Sequence, residues 1–484
     1  MKKVIRLLAL ALAICMLPLT LIACNKSEEE EEEEVTVSQE SPISQKEYGD
    51  TFNYLVLNDT FTFEYFYAEE RLYNEMNDSI YERQRNVETN LGVTITAKKS
   101  TDFQGYSEEL ITSIKSDDNT FQLCLTHNST GVAPLVTGGY LYDFKKLDSV
   151  QLNEKYWNKS LMNSVSYNGK YLLGYGDLCL ARVYTVVFNK DLLQKNCANV
   201  LGDESIYSLV ENNKWTLAKL GELASAAHHD VNGDGKKDSS DQYGLTGVMW
   251  VEACSFLHSS NINIASYNSD TKKYELCINN YGTKTQKVID KISELYKAEY
   301  SYLAKIQDTD RVEMKSGRAL FELQDNYDLV ELKGTNITFG VLPYPLFDEN
   351  QENYRSLSWN GYMVVPYNIE KVSNVEMISD TLELLQYYSK PVTVAFYEKL
   401  LGAQVSESPD DAYMLEMIWA SQVSDFAMAY ADTTSANKPI DALVYTIPRI
   451  VLNTDNTSSF ETYYNKFKNA ATKQMERVQE AKKS

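Results

Sequence analysis

After residue 50 the chain alternates between two hydrophobic periods. FNYLVLN is a short apolar run of strand character, and RLYNEMNDSIYERQRNVETNLGVTI then repeats Leu72, Met76, Ile80, Val87 and Leu91 at helical spacing before Gly92 and a further strand. Strand, helix, glycine, strand predicts a βαβ opening. YSEELITSIKS is again amphipathic, with Ser107 as its expected N-cap and Glu108 and Glu109 in the first turn, where the helix dipole favours acids. FQLCLTH and VYTVVFNKDLL have the unbroken apolar character of buried strands, and the second feeds another helix. KTQKVIDKISELYKAE places Val288, Ile292 and Leu295 on one face, and MISDTLELLQYYS does the same with Ile378, Leu382 and Leu385. No internal repeat is visible. The alternation predicts an α/β fold.

The first fifty residues follow neither period. Lys2, Lys3 and Arg6 precede an apolar run from Leu7 to Ile22, too short and wrongly flanked for a permanent membrane span, so residues 1–23 read as a signal peptide. Leu21-Ile22-Ala23-Cys24 resembles the bacterial lipobox, which implies cleavage before Cys24 and a lipid on its thiol. Residues 24–50 contain an unbroken glutamate run, Glu28 to Glu34, whose mutual repulsion extends the chain, and the stretch is expected to be a solvated tether.

Charge narrows the partners. The formal net charge is −22, and losing Lys2, Lys3 and Arg6 with the leader takes it to −25, which repels nucleic acid and anionic polymers. Beyond Cys15 and Cys24 the cysteines are Cys124, Cys179, Cys197, Cys254 and Cys277, an odd set without a CxxC pair. Cys124 and Cys179 lie in apolar surroundings and are expected to pack as small hydrophobes.

One stretch has metal-ligand spacing. HHDVNGDGKKDSSDQYG sets Asp230, Asn232, Asp234, Asp238 and Asp241 at positions 1, 3, 5, 9 and 12 of a calcium loop, with Gly235 at the sharp turn and the Lys236 carbonyl at position 7. Oxygens at alternate positions converge on one hard cation. Asp241 stands where glutamate usually closes such a site, and no helix is expected after the loop, so a static structural calcium is predicted. The competing reading is a metal-free turn built from Asn, Gly and Asp.

Catalytic patterns are missing: there is no GxSxG, HExxH, P-loop or GxGxxG. Aromatic residues are abundant, with 35 Tyr and 5 Trp, and flat rings stack on the apolar faces of sugars. Trp157 and Trp215 sit at helix margins and Trp419 on the stripe Leu415, Ile418, Trp419, where packing explains them. Trp250 and Trp359 sit near strand ends and are ligand candidates, with core packing the competing reading.

The lipobox, the acidic tether and the order of segments resemble the family 1 extracellular solute-binding proteins of ABC importers. The similar segments are NDSIYERQRNVETNLGVTI, VYTVVFNKDLL, NKWTLAKLGELA, GYMVVPYN, YYSKPVTVAFYEKLLG and MLEMIWASQVSDF. The calcium-like loop is similar to that of the alginate-oligosaccharide-binding members. The resemblance implies a periplasmic-binding-protein-like fold, two α/β lobes joined by a hinge and closing over ligand. It places the first lobe at 51–180 and 345–405, the second at 181–344 and 406–484, and crossings near 178–183, 340–346 and 403–411.

The expectation is a lipid-anchored, monomeric receptor on the extracytoplasmic face of the cell membrane, without enzymatic activity, that passes a neutral carbohydrate to permease subunits. Tyr65, Asn128, Tyr175, Asp177, Trp250, Asn326, Tyr327, Trp359 and Asn360 are the candidate contacts, chosen at predicted strand ends facing the cleft. The rivals are a surface-anchored polysaccharide hydrolase or lyase, and a binding protein that serves signalling or adhesion.

Overall fold

The structure is a computed structural model. It describes residues 41–58, 64–102, 105–127, 132–180, 182–304, 311–332, 334–359, 361–396, 408–431, 439–453 and 459–480. The signal peptide, Cys24 and the glutamate run lie outside these residues, as do Asn128, Asn360 and positions 403–407 of the third expected crossing. Among the described residues no helix is long and apolar enough to cross a membrane.

Residues 42–484 form one compact unit built on two main sheets. The first joins β1 (Thr51–Val56), β2 (Thr94–Lys99), β3 (Leu123–His127) and β12 (Gly361–Val364) in the order β12-β3-β1-β2. β1 runs parallel to β2 and β3, and β12 lies antiparallel on β3. The second joins β4 (Tyr184–Asn189), β5 (Tyr243–Val248), β8 (Ser301–Ala304), β9 (Ala319–Asp325) and β10 (Phe339–Leu342) in the order β10-β4-β9-β5-β8. β5 is parallel to both neighbours, whereas β4 is antiparallel to both of its own, and β6 (Ala265–Asn268) and β7 (Lys273–Leu276) form a separate antiparallel pair. Every residue of β4 is buried, which is why its sequence shows no alternation.

Helix α1 (Glu75–Leu91) carries the predicted stripe from Met76 to Leu91 on its buried face. Asn74 caps it by accepting from Asn77 N, and Gly92 ends it at φ +60°, a left-handed value that favours glycine. The helix therefore starts later than the apolar spacing suggested. Leu72 lies before it and is 58% exposed, since Asn74 interrupts the turn that would have carried it inward. Helix α2 (Tyr106–Ser116) begins one residue before the expected cap, so Ser107 is a buried position of its first turn, and Gly105 stands at the N-cap. The other longer helices are α3 (Lys190–Leu201), α4 (Leu217–Ala227), α5 (Val251–Ser259), α6 (Lys284–Lys297), α7 (Val375–Tyr387), α8 (Pro409–Ala420) and α9 (Phe460–Glu480).

The two sheets meet at a narrow girdle. Val183 bridges Ser358, Trp359 N–H donates to Arg182 O at 2.9 Å, and β11 (Ser356–Leu357) pairs with β13 (Gln422–Val423). Residues 340–346, expected to cross, stay with the second sheet. β10 is its edge strand, and beyond it the Leu346 amide and carbonyl are bonded to Trp215 O and Leu217 N. Residues 408–411 open α8, whose buried Asp411 takes Tyr207 Oη at 2.7 Å and Lys190 Nζ, again on the second-sheet side.

Part of the expected tether is docked. Lys46, Tyr48 and Gly49 donate backbone N–H groups to the carbonyls of Asn90, Leu91 and Gly92, and Lys46 Nζ reaches Glu376 at 2.7 Å and Asp380 at 2.6 Å. Tyr48 Oη donates to the same Asp380 carboxylate at 2.7 Å. KEYGD presents one cation and one hydroxyl to a buried acid, which holds this end of the expected tether on the fold.

The five cysteines beyond Cys24 are free, and all but Cys179 are buried. Trp157 and Trp215 are buried as expected. Trp419 is half-exposed, packed on Val183 and Ile418 rather than in the main core, because helix α8 turns that edge outward.

Candidate functional site

Four aromatic side chains form a row that starts on the first sheet and ends beside the second. His127 closes β3, Trp359 follows β11, Tyr445 joins the short helices Pro439–Val444 and Thr446–Val451, and Trp250 immediately precedes α5. Ring centroids are 6.0 Å apart for His127 and Trp359, 6.2 Å for Trp359 and Tyr445, and 4.3 Å for Trp250 and Tyr445. Trp250 is held in the sharp passage from β5 into α5 at φ −141° and ψ −109°, and its indole stays half-buried. His127 is enclosed by protein although one edge meets solvent. Desolvation first, and the charge of Arg182 second, hold its imidazole down to about 3, so it presents an uncharged ring.

A second cluster lies at the girdle. Tyr65 and Tyr327 have ring centroids 5.4 Å apart, and Phe396 lies 5.3 Å from Tyr65 and 5.4 Å from Tyr327. The Arg182 guanidinium sits 5.0 Å over the Tyr327 ring, and its Nε is 3.2 Å from Asp325 Oδ2. Desolvation works to lower Arg182, but Asp325 and the neighbouring tyrosines raise it overall, so it stays a cation. Tyr327 Oη donates to Leu180 O at 2.8 Å, so the segment after β9 is bonded to the one ahead of β4 through one side chain.

The remaining predicted residues divide by role. Asn326 is buried and used up in the girdle: its Oδ1 accepts from Val183 N at 2.9 Å while its own N–H donates to Val183 O at 3.0 Å. Tyr175 is buried edge-on against Tyr362 of β12, with centroids 5.0 Å apart. Asp177 is half-buried; desolvation pushes its carboxyl up to about 6 against the pull of Lys390. Thus Trp250 and Trp359 belong to one group, and Tyr65, Asn326 and Tyr327 to another. His127, Tyr445, Phe396 and Arg182 escaped the sequence reading. Arg182 alone had a signal, as the charged residue between two apolar stretches at an expected crossing.

The calcium-like loop is a string of side-chain to backbone bonds. Asp230 accepts from Gly233 N at 2.6 Å and Gly235 N at 2.9 Å; Asn232, Asp234 and Asp238 each accept from the amide two residues on. Gly233 and Gly235 adopt φ +72° and +71°, which glycine adopts at no steric cost. Asp241 is buried and takes Val231 N at 3.1 Å, drawing the loop's end back to its start. The donor set is all oxygen, which suits a hard cation. Among the described residues, no three carboxylate, imidazole or thiol side chains gather as a metal-holding group.

No family model matches the sequence, and neither does any curated protein. Solved structures do share its shape. The sugar-binding protein MalE from Xanthomonas citri matches with a TM-score of 0.59 at 12% identity, over 88% of this chain and 98% of that one. An ABC substrate-binding protein from Listeria monocytogenes in complex with cycloalternan gives 0.56 at 12%, over 88% and 99%. The GacH receptor of Streptomyces glaucescens, known unliganded and with acarbose, gives 0.54 at 13%, over 90% and 99%. The fold is therefore that of the two-lobed ABC substrate-binding proteins, as the order of segments implied.

Proposed function

We propose that the protein is a carbohydrate-type extracellular solute-binding protein of family 1, which captures an oligosaccharide between its lobes for an ABC importer and has no chemistry of its own. The observation that carries this is the row His127, Trp359, Tyr445 and Trp250, an uncharged aromatic strip reaching from the first sheet to the second. Its half-buried members His127 and Trp250 can meet the apolar faces of neutral sugar rings, backed by Trp359 and Tyr445, which are each only 6% exposed. Support comes also from the fold shared with proteins whose structures hold cycloalternan and acarbose. Calorimetry of the purified chain against a panel of oligosaccharides tests the reading. Heat with a glycan and no release of reducing ends is expected; no heat and no thermal shift with any sugar would refute it, and glycan cleavage would make the chain an enzyme.

In this reading the protein works as a monomer, with a lipid on Cys24 and the glutamate run keeping it within reach of permease subunits. Lobe one carries β1, β2, β3 and β12 and lobe two β4, β5, β8, β9 and β10. Replacing Cys24 by Ala should abolish lipid attachment and leave glycan affinity unchanged. The reading also assigns calcium to the loop, held by Asp230, Asn232, Asp234, Asp238, Asp241 and the Lys236 carbonyl. The ion would cross-link the segment between α4 and β5 and neutralise its carboxylates.

A further inference from the structure

Where β5 and β9 end, the second sheet borders a partly open cavity of about 170 Å³ whose lining includes no member of either aromatic cluster. Its wall includes Glu252 from the first turn of α5, Glu322 and Gln324 from β9, and Asp328. Two acceptors there are unanswered: Glu252 Oε2 and Gln324 Oε1 meet neither solvent nor any hydrogen-bond donor. Glu322 is only 5% exposed, and one of its oxygens accepts from Met314 N at 2.5 Å. Of the two cations on the wall, Lys315 lies 2.8 Å from Glu313, and Arg311 has a partner of its own; the charge of Arg182, off the wall, offsets the desolvation of Glu252 only in part. Burying acceptors without donors is costly, and burying carboxyls without a countercharge is costlier. Desolvation accordingly pushes Glu252 up to about 8 and Glu322 up to about 7.

The missing partner must bring positive charge and N–H donors together. A bare metal ion suits this cavity poorly, since Glu322 already gives one oxygen to Met314 N and Gln324 offers only a neutral amide oxygen. The volume is close to that of a cavity of roughly 150 Å³ that admits benzene, which is room for about six non-hydrogen atoms, the size of a short alkylamine. An ammonium group has three donors for these oxygens. The strongly negative chain also raises the local concentration of cations.

We infer that this cavity is a binding site for an ammonium group, seated by Glu252, Gln324 and Glu322, and borne either on a small free amine or on an amino sugar of the glycan. The second source rests on the carbohydrate reading above; the first does not. Calorimetry of the full chain at pH 7.5 tests it with putrescine against 1,4-butanediol, and with a glucosamine oligosaccharide against its N-acetylated form. At least one amine should bind ten times or more tightly than its uncharged counterpart. Glu252→Gln, which keeps the shape and an acceptor but removes the charge, should erase that advantage and leave the uncharged probe unaffected. Gln324→Leu should weaken the amine in the same way and serves if Glu252→Gln misfolds. Putrescine alone showing the preference assigns the site to a free amine, even if every glycan fails and the carbohydrate reading falls; the glucosamine glycan alone assigns it to the sugar. Equal binding of charged and uncharged probes in both pairs, or an advantage that survives the substitutions, overturns the inference.

Discussion

Trp250 and Tyr445 stack with their planes 24° apart, although one precedes α5 and the other joins two short helices nearly two hundred residues later. The pair makes a flat double platform at the second-sheet end of the aromatic row. Tyr445→Ala should remove half of it and weaken the best glycan by about 2 kcal/mol, roughly thirtyfold, as truncation of a buried aromatic contact does. Tyr445→Phe should change affinity little, because the stack needs the ring and not the hydroxyl. Paired titrations of the two variants check this.

That platform also shows how much was legible. Trp250 and Trp359 stood out because tryptophan is rare here and both follow apolar strands, and α/β folds put ligands at strand ends. Tyr445 is one of 35 tyrosines, inside TIPRI-flanked helical turns, and only the tertiary path of the last hundred residues brings it to Trp250. The α/β class was readable because β3 and β4 are buried on both faces and α6 is strongly one-sided, whereas α7 is buried on every side from Met377 to Gln386 although its apolar spacing still reads as helical. Asn326 illustrates the opposite failure. A polar residue at a strand end reads the same whether it faces a ligand or, as here, locks the Val183 backbone.

Asn326→Ala should destabilise the girdle. It leaves Val183 N–H buried without its side-chain acceptor, at about 1–3 kcal/mol. Urea unfolding should show a lower midpoint, and Asn326→Asp, which keeps an acceptor, should recover part of it. An unchanged midpoint for Asn326→Ala would show that the bond contributes nothing.

Lys46 and Asp380 pin the segment ahead of β1 to α7. Asp380 is buried and keeps Tyr48 Oη and Ser149 Oγ when Lys46 is lost, so Lys46→Met removes its countercharge and not every donor. A loss of about 1–2 kcal/mol in global stability is expected, below the 3–5 of a fully broken buried pair. Amide exchange at Lys46, Tyr48 and Gly49 should accelerate while the core amides of β3 stay protected.

Stability should fall as pH rises from about 6.5 to 8. Glu252 and Glu322 keep their protons in the folded chain up to about 8 and about 7, whereas the unfolded chain has released them near 4.5. The folded state therefore binds more protons throughout that window, and raising pH favours unfolding. His127 and His258, both held at about 3 by desolvation, act the other way, but only below their ordinary value of 6.5. Depressed carboxyls such as Asp118, at about 2, contribute fully above pH 4.5 and are lost only in acid. Denaturant titrations at pH 6.5 and 8 should differ by on the order of 2 kcal/mol. Glu252→Gln combined with Glu322→Gln should flatten the difference; a flat wild-type profile would contradict the raised values.

Chelation should lower the melting temperature. An ion that binds only the folded loop stabilises it by mass action, about 2.7 kcal/mol at a hundred times its dissociation constant. The loop's own bonds complicate the mutational test, because Asp230→Ala also deprives the amides of Gly233 and Gly235 of their acceptor. Asp230→Asn keeps an acceptor for one of the two amides and gives up the charge, so its response to EDTA, rather than its own melting temperature, reports the ion. With calcium bound in the wild type, EDTA should lower the wild-type melting temperature and leave that of Asp230→Asn unmoved. A wild-type melting temperature indifferent to both EDTA and added calcium would make the segment a polar turn held by its own side-chain to backbone bonds and its two glycines.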